Sequence, residues 1–133
     1  MSEEYQWLTK ELPSDYDYLA PDSSEIRLLP NVGGGGVCHC TLRPGKTSDA
    51  VHHKTVEEIW FFISGKGQVW RQVGETKEVR DVHPGVCLTI PIGTRFQFRN
   101  TGDEPLCFVI ATIPRWPGPE EAVSSQGYWN PKS

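Results

Sequence analysis

No stretch of this chain is both apolar and long enough to span a bilayer. The N-terminus, Met1 to Tyr5, has neither the basic region nor the apolar run of a signal peptide, so the expected location is the cytosol. A basic stripe is missing as well. Thirteen Lys and Arg stand against seventeen Asp and Glu, the net charge is -4 and the pI is near 5.5, which argues against a nucleic-acid partner. Cysteines are few, four in all, and none has the two-residue gap of a zinc pair. In Cys38-His39-Cys40, strand alternation sends the histidine to the side opposite both sulfurs. In a cytosolic protein the four are expected as free thiols. The glycine run at Gly33 to Gly36 leads into a strand pattern, not a helix, so it reads as a turn and not as a phosphate cradle.

What the chain does have is turn chemistry. Thirteen Gly and eleven Pro are spread along 133 residues, enough for one domain built of many short strands. Strands are expected at Glu25 to Leu29, Val37 to Leu42, Ile59 to Ile63, Gln68 to Val73, Lys77 to Val82, Val86 to Ile90, Arg95 to Arg99 and Leu106 to Thr112. Around Ile59 to Ile63 both alternating sets are apolar, Trp60 and Phe62 on one side and Ile59, Phe61 and Ile63 on the other. That pattern predicts burial on both faces. Residues 1–24 are polar with interspersed Tyr5, Trp7, Tyr16 and Tyr18, and read as an arm. Residues 25–113 form the barrel. Residues 114–133 are a Pro-rich extension, expected to pack on it, with a helical turn within 119–126.

Two motifs stand out. The first runs from Gly45 through His52, His53 and Glu58 to Gly65; the second from Gly85 through Pro91 and Gly93 to Asn100. Their glycines and proline dictate turns. Adjacent histidines on a strand point to opposite sides, so only one of His52 and His53 can share a face with its neighbours.

In these motifs the chain resembles the cupin superfamily, over roughly residues 42–112. The resemblance implies an all-β double-stranded β-helix, or jelly-roll barrel, flanked by the arm and the tail, and a homodimer into which such arms cross. It also implies metal positions, and this chain departs there. One alignment puts Val51, His53 and Glu58 at the family's ligand positions, the other His52, Lys54 and Glu58, and the last histidine position holds Phe96. Valine and a protonated lysine offer no lone pair.

Three readings follow for the barrel interior, each with a small, partly apolar or aromatic molecule as partner. In the first, His53 and Glu58 are a catalytic acid–base pair, as in isomerases, epimerases or cyclases; the resemblance includes sugar epimerases that work without metal. A charged His53 would then lower the Glu58 pKa against the effect of burial. In the second, His53 and Glu58 hold a divalent metal ion, with His52, or else His39, re-aimed as the third ligand, and with iron, nickel, manganese, zinc and copper all open. In the third, the barrel is a non-catalytic binder or sensor. In all three, Trp60, Phe62, Phe96 and Phe98 are the expected pocket walls, joined by Gln68 or Trp70 and by Cys38 or His39. Trp116 is expected to pack on the core more readily than to act as a lid. Arg95 and Arg99 are expected to point outward.

Overall fold

A computed structural model describes residues 7–131. Tyr5, one of the arm's aromatics, lies outside the described residues. Eleven strands follow in chain order: β1 (Tyr18–Leu19), β2 (Glu25–Val32), β3 (Gly35–Leu42), β4 (Val51–His53), β5 (Glu57–Ser64), β6 (Gly67–Val73), β7 (Thr76–Val82), β8 (Cys87–Ile90), β9 (Arg95–Asn100), β10 (Leu106–Ile113) and β11 (Ala122–Ser124). They form two antiparallel sheets. One has the order β1-β2-β3-β10-β5-β8, the other β11-β4-β9-β6-β7. This is the jelly-roll barrel that the turn pattern and the two motifs imply.

Alternation decides what goes inside. On β5, Glu58, Trp60 and Phe62 are buried between the sheets. From the opposite sheet Phe96, Phe98 and Val69 meet them, and Phe108 joins from β10. Trp60 lies 4.6 Å from Phe108 and 5.3 Å from Phe96 by ring centroids, Phe62 4.5 Å from Phe108, and Phe98 5.2 Å from Phe108. Tilted and edge-on pairs of this kind fill space while keeping ring edges against ring faces. The expected pocket walls therefore pack on one another, and the barrel's middle is a solid aromatic core.

The other face of β5 is left uncovered within this one chain, so of the second sheet and a second subunit as its expected cover, the sheet is not it. Ile59, Phe61 and Ile63 are 42–47% exposed, not covered by the second sheet. Apolar alternation on both faces signals burial only when a second layer exists for each. Gln68 and Trp70 also fall on the outer side: on β6 it is Val69 that joins the core.

The tail covers that outer side of the second sheet. The Pro-rich stretch leads to a short 3₁₀ turn, Pro119–Glu121, and then to β11, which pairs with β4. Beyond it, Gln97 fastens the chain. Its buried amide nitrogen donates to the Ser48 and Trp129 carbonyls at 2.9 and 2.7 Å, and its oxygen accepts from the Tyr128 and Trp129 amides at 2.9 and 2.8 Å. Tyr128 then stacks on Trp70, and Arg99 lies 4.4 Å over the Trp129 ring. Arg95 likewise sits over Trp70, so both arginines point outward.

Glycine is required at one corner of the first motif. Gly65 turns the chain between β5 and β6 with φ of 80°, and a Cβ there would stand 2.4 Å from the Pro105 carbonyl oxygen. No helix among the described residues is long and apolar enough to cross a membrane.

Candidate functional site

β4 is short, and its parity matters. Val51 and His53 are buried and His52 is turned the other way. His52 Nδ1 instead meets the Ser125 hydroxyl at 2.7 Å, on the side where β11 pairs. His53 faces the barrel beside Glu58, with Nδ1 4.0 Å from Oε2. Val51 stands opposite Phe96 across the β4–β9 pair. The Phe96 ring packs edge-on to His53 at 5.1 Å and to Trp60 at 5.3 Å. The Trp60 indole donates to Glu58 Oε1 at 2.9 Å.

Burial dominates the electrostatics. Glu58 is pushed up to about 8 by loss of water; the Trp60 bond lowers it, and the charges of Asp22 and Glu121 raise it further. His53 is brought down to about 4, again first by burial, against the pull of Glu121. At neutral pH the pair is thus a protonated carboxylic acid beside a neutral imidazole. Of the two opposing effects expected on Glu58, burial prevails over a charge on His53. His53 Nδ1 is buried without a hydrogen-bond partner among the described residues. Closing its distance to Glu58 by about 1 Å would make an ordinary hydrogen bond.

Glu121 behaves in the opposite way. Burial pushes it up, but the Thr55 hydroxyl and the Thr55 and Val56 amides all donate to its carboxylate, and the net effect is downward. It anchors the turn between β4 and β5, the turn that sets His53 against Glu58.

Glu58 opens to a narrow recess at the barrel mouth. The recess holds about 70 Å³ and is lined by Tyr18, Leu28, Asn31, Val37, Cys38, Glu58, Thr112 and Trp116. Of the expected walls Trp60, Phe62, Phe96 and Phe98, none lines it. His53 does not line it either; it lies behind, with the Trp116 ring edge-on at 5.0 Å. Tyr18 comes from the arm and Trp116 from the tail, so the recess is finished by segments outside the two motifs. Of Cys38 and His39, it is Cys38 that faces this way. A larger groove of about 420 Å³ runs between the arm and the β3–β4 turn. Two of its charges, Glu25 and Arg43, pair at 2.6 Å, Lys46 and Asp49 also line it, and none of the expected site residues reaches it.

The donor set does not suit a metal ion. No three His, Cys, Asp or Glu side chains converge among the described residues. His52 points away, and Val51 and Phe96 are apolar, which leaves His53 and Glu58. Stable transition-metal sites use three or four deprotonated ligands.

The profile of the cupin domain family matches residues 38–112. The chain belongs to the cupin family. No curated protein matches this cupin in sequence. Among solved structures, it is similar to Bacillus subtilis oxalate decarboxylase, described for its Mn(II) centres, at 19% identity and a TM-score of 0.67, over 76% of this chain and 28% of that one. It is similar to the capsular polysaccharide assembling protein CapF of Staphylococcus aureus at 18% identity and a TM-score of 0.70, over 90% of this chain and 35% of that one. It is also similar to the formate complex of Lactobacillus farciminis oxalate decarboxylase at 20% identity and a TM-score of 0.66, over 76% and 31%. This cupin spans about a third or less of those chains, and at such identities the likeness is one of fold.

Proposed function

We propose that this cupin takes a small molecule at the barrel mouth and moves a proton on it without a metal, as an isomerase, epimerase or cyclase does. The observation that carries the reading is Glu58, a buried carboxylic acid that stays protonated at neutral pH, lines the recess and is bonded to the core indole of Trp60. A recess of about 70 Å³ admits a single hydroxyl or carbonyl group, about two waters' worth of space. The apolar body of the ligand would then lie outside it, between Trp116 and Tyr18.

The roles follow from the geometry. Glu58 donates its proton to the inserted carbonyl oxygen, and the carboxylate so formed takes the proton of the neighbouring carbon, which leaves an enol. The conjugate base is unstable in so dry a place, and neutral His53, 4.0 Å behind it, is the group placed to exchange protons with it. His53 thus acts through Glu58 and not on the ligand. The mismatch of pKa values, an acid held above its usual range beside a base held below its own, keeps both groups in the forms that such a relay needs.

The test is solvent exchange at carbon. Small hydroxy and carbonyl compounds are screened against the protein by the Trp116 indole signal in NMR, and each binder is then incubated in D₂O. Deuterium incorporation that disappears in Glu58→Gln, with binding retained, is the expected result. Binding without deuterium incorporation, unchanged by Glu58→Gln, would instead make the protein a binder and not a catalyst.

A further inference from the structure

The outer face of the larger sheet carries a second polar cluster. Cys107 on β10 stands opposite Thr41 on β3, with His39 two residues along the same face. The Thr41 hydroxyl lies 3.7 Å from the Cys107 sulfur. Arg27 on β2 donates to that same hydroxyl oxygen at 3.3 Å, which leaves the Thr41 proton free to point at sulfur. The guanidinium is itself held by the Pro13 and Ser14 carbonyls of the arm at 3.0 and 2.9 Å. Ser64, on β5, is the register partner of Cys107 on its other side. His39 is 6% exposed, and its buried Nδ1 has no hydrogen-bond partner among the described residues. The one carboxylate near the cluster, Glu25, is turned to Arg43 at 2.6 Å and to Arg27 at 4.0 Å.

We propose that Cys107 is a peroxide-reactive thiolate, flanked by Thr41 and Ser64, with His39 beside them, on the open face of the sheet. The sulfur is half-buried, so a small oxidant reaches it. Its thiolate attacks one oxygen of a hydroperoxide and the O–O bond breaks. The second oxygen departs as hydroxide, or alkoxide, and takes a proton from solvent. Sulfur is oxidised by two electrons to a sulfenic acid and the peroxide is reduced to water or an alcohol. Thr41, with Arg27 behind it, supplies the donors on the side where charge leaves.

The thiol has the properties that this chemistry needs. Hydrogen bonding, first from His39, outweighs partial burial and brings Cys107 down to about 7. Cys38 and Cys40 are on β3 but point to the other face; burial pushes Cys38 up to about 12 and Cys40 well above its usual range. Neither can resolve a sulfenic acid at Cys107, because their side chains leave the sheet on the opposite side. Cys87 is exposed on β8, two strands from β10 by way of β5. The oxidised product therefore waits for a soluble thiol instead of closing a disulfide within the chain.

The experiment treats the intact protein with hydrogen peroxide in the presence of dimedone, which traps sulfenic acids, and counts the adduct on each cysteine by peptide mass spectrometry. Cys107 should carry the adduct at about tenfold or more over the exposed Cys87, the ratio expected for a thiol more than one pH unit lower. His39→Asn and Thr41→Val should each slow labelling by up to about tenfold. A measurement without variants guards against misfolding: the pH–rate profile of alkylation at Cys107 by iodoacetamide should have its midpoint near 7. Labelling at Cys107 no faster than at Cys87, or a midpoint near the ordinary thiol value of about 8.5, would overturn the proposal.

Discussion

Cys38 and Cys107 sit on neighbouring strands of one sheet and differ in which face they occupy. The inward thiol is pushed up to about 12 and the outward one down to about 7. The same contrast holds for the two histidine pairs. Inside, His53 and Glu58 are stripped of water and given few donors, so both become neutral. Outside, the Thr41 and Ser64 hydroxyls flank a half-buried sulfur with His39 on the same face, so an anion is favoured. Burial alone always acts against charge; hydrogen-bond donors decide whether a half-buried group ends up charged. One sheet therefore supports a protonated acid on one face and a thiolate on the other.

The sharpest way to test the difference between the faces is packing. Phe98 is fully buried against Trp60 and Phe108, whereas Phe61 on the outer face is 47% exposed. Phe98→Ala should cost about 3–5 kcal/mol of stability by chemical denaturation, since it leaves a cavity in a filled aromatic core. Phe61→Ala should cost less than about 1 kcal/mol, in the range of changes at partly exposed sites. Equal losses at the two positions would mean that the outer face of β5 is covered in solution.

A smaller effect concerns the sign of the pH dependence. Glu58 binds its proton more tightly in the folded chain than in the unfolded one. Its contribution to stability is therefore complete below about 4.5 and is lost as pH rises to about 8. His53 acts in reverse: it is harder to protonate when folded, so its contribution is complete above 6.5 and lost as pH falls to about 4. Between 4.5 and 6.5 the two slopes oppose each other. The stability difference between the native protein and Glu58→Gln isolates the carboxyl. That difference should fall by about 1.4 kcal/mol per pH unit up to about 8, because one proton separates the two states. A flat difference would mean that Glu58 is solvated, and the relay with His53 would go with it.

How far the sequence showed these things differs between fold and site. Gly65, Gly85, Pro91 and Gly93 set turns by local geometry alone, and a local requirement can be read from a local pattern. His53, Glu58 and the aromatic core follow from alternation once the strands are known. At Ile59, Phe61 and Ile63 alternation gives the side of the sheet and not what lies over it. The recess was out of reach: Tyr18 and Trp116 arrive from segments with no period, and nothing near them in sequence marks the mouth of a barrel. The Cys107 cluster was further still, since it depends on the register between β3 and β10, 66 residues apart at Thr41 and Cys107. A shift of one residue there would send Thr41 to the opposite face from Cys107.

The finest test separates the two influences on Glu58. Burial raises its pKa and the Trp60 indole, 2.9 Å from Oε1, lowers it. Trp60→Phe keeps an aromatic ring in the core but removes that donor. The carboxylate then loses its one hydrogen-bond partner, while the protonated form loses less, so the pKa should climb above 8, toward values where burial acts unopposed. The lost bond and the smaller ring should cost about 1–2 kcal/mol at pH 6. The side-chain carboxyl signal of Glu58, followed by ¹³C NMR across pH 5 to 10, reports the shift directly. An upward move identifies dehydration as the force that keeps this acid protonated. A downward move would mean that water enters beside the smaller ring and that the indole serves to seal the site, in which case the contrast with Cys107 would rest on access of solvent and not on the supply of donors.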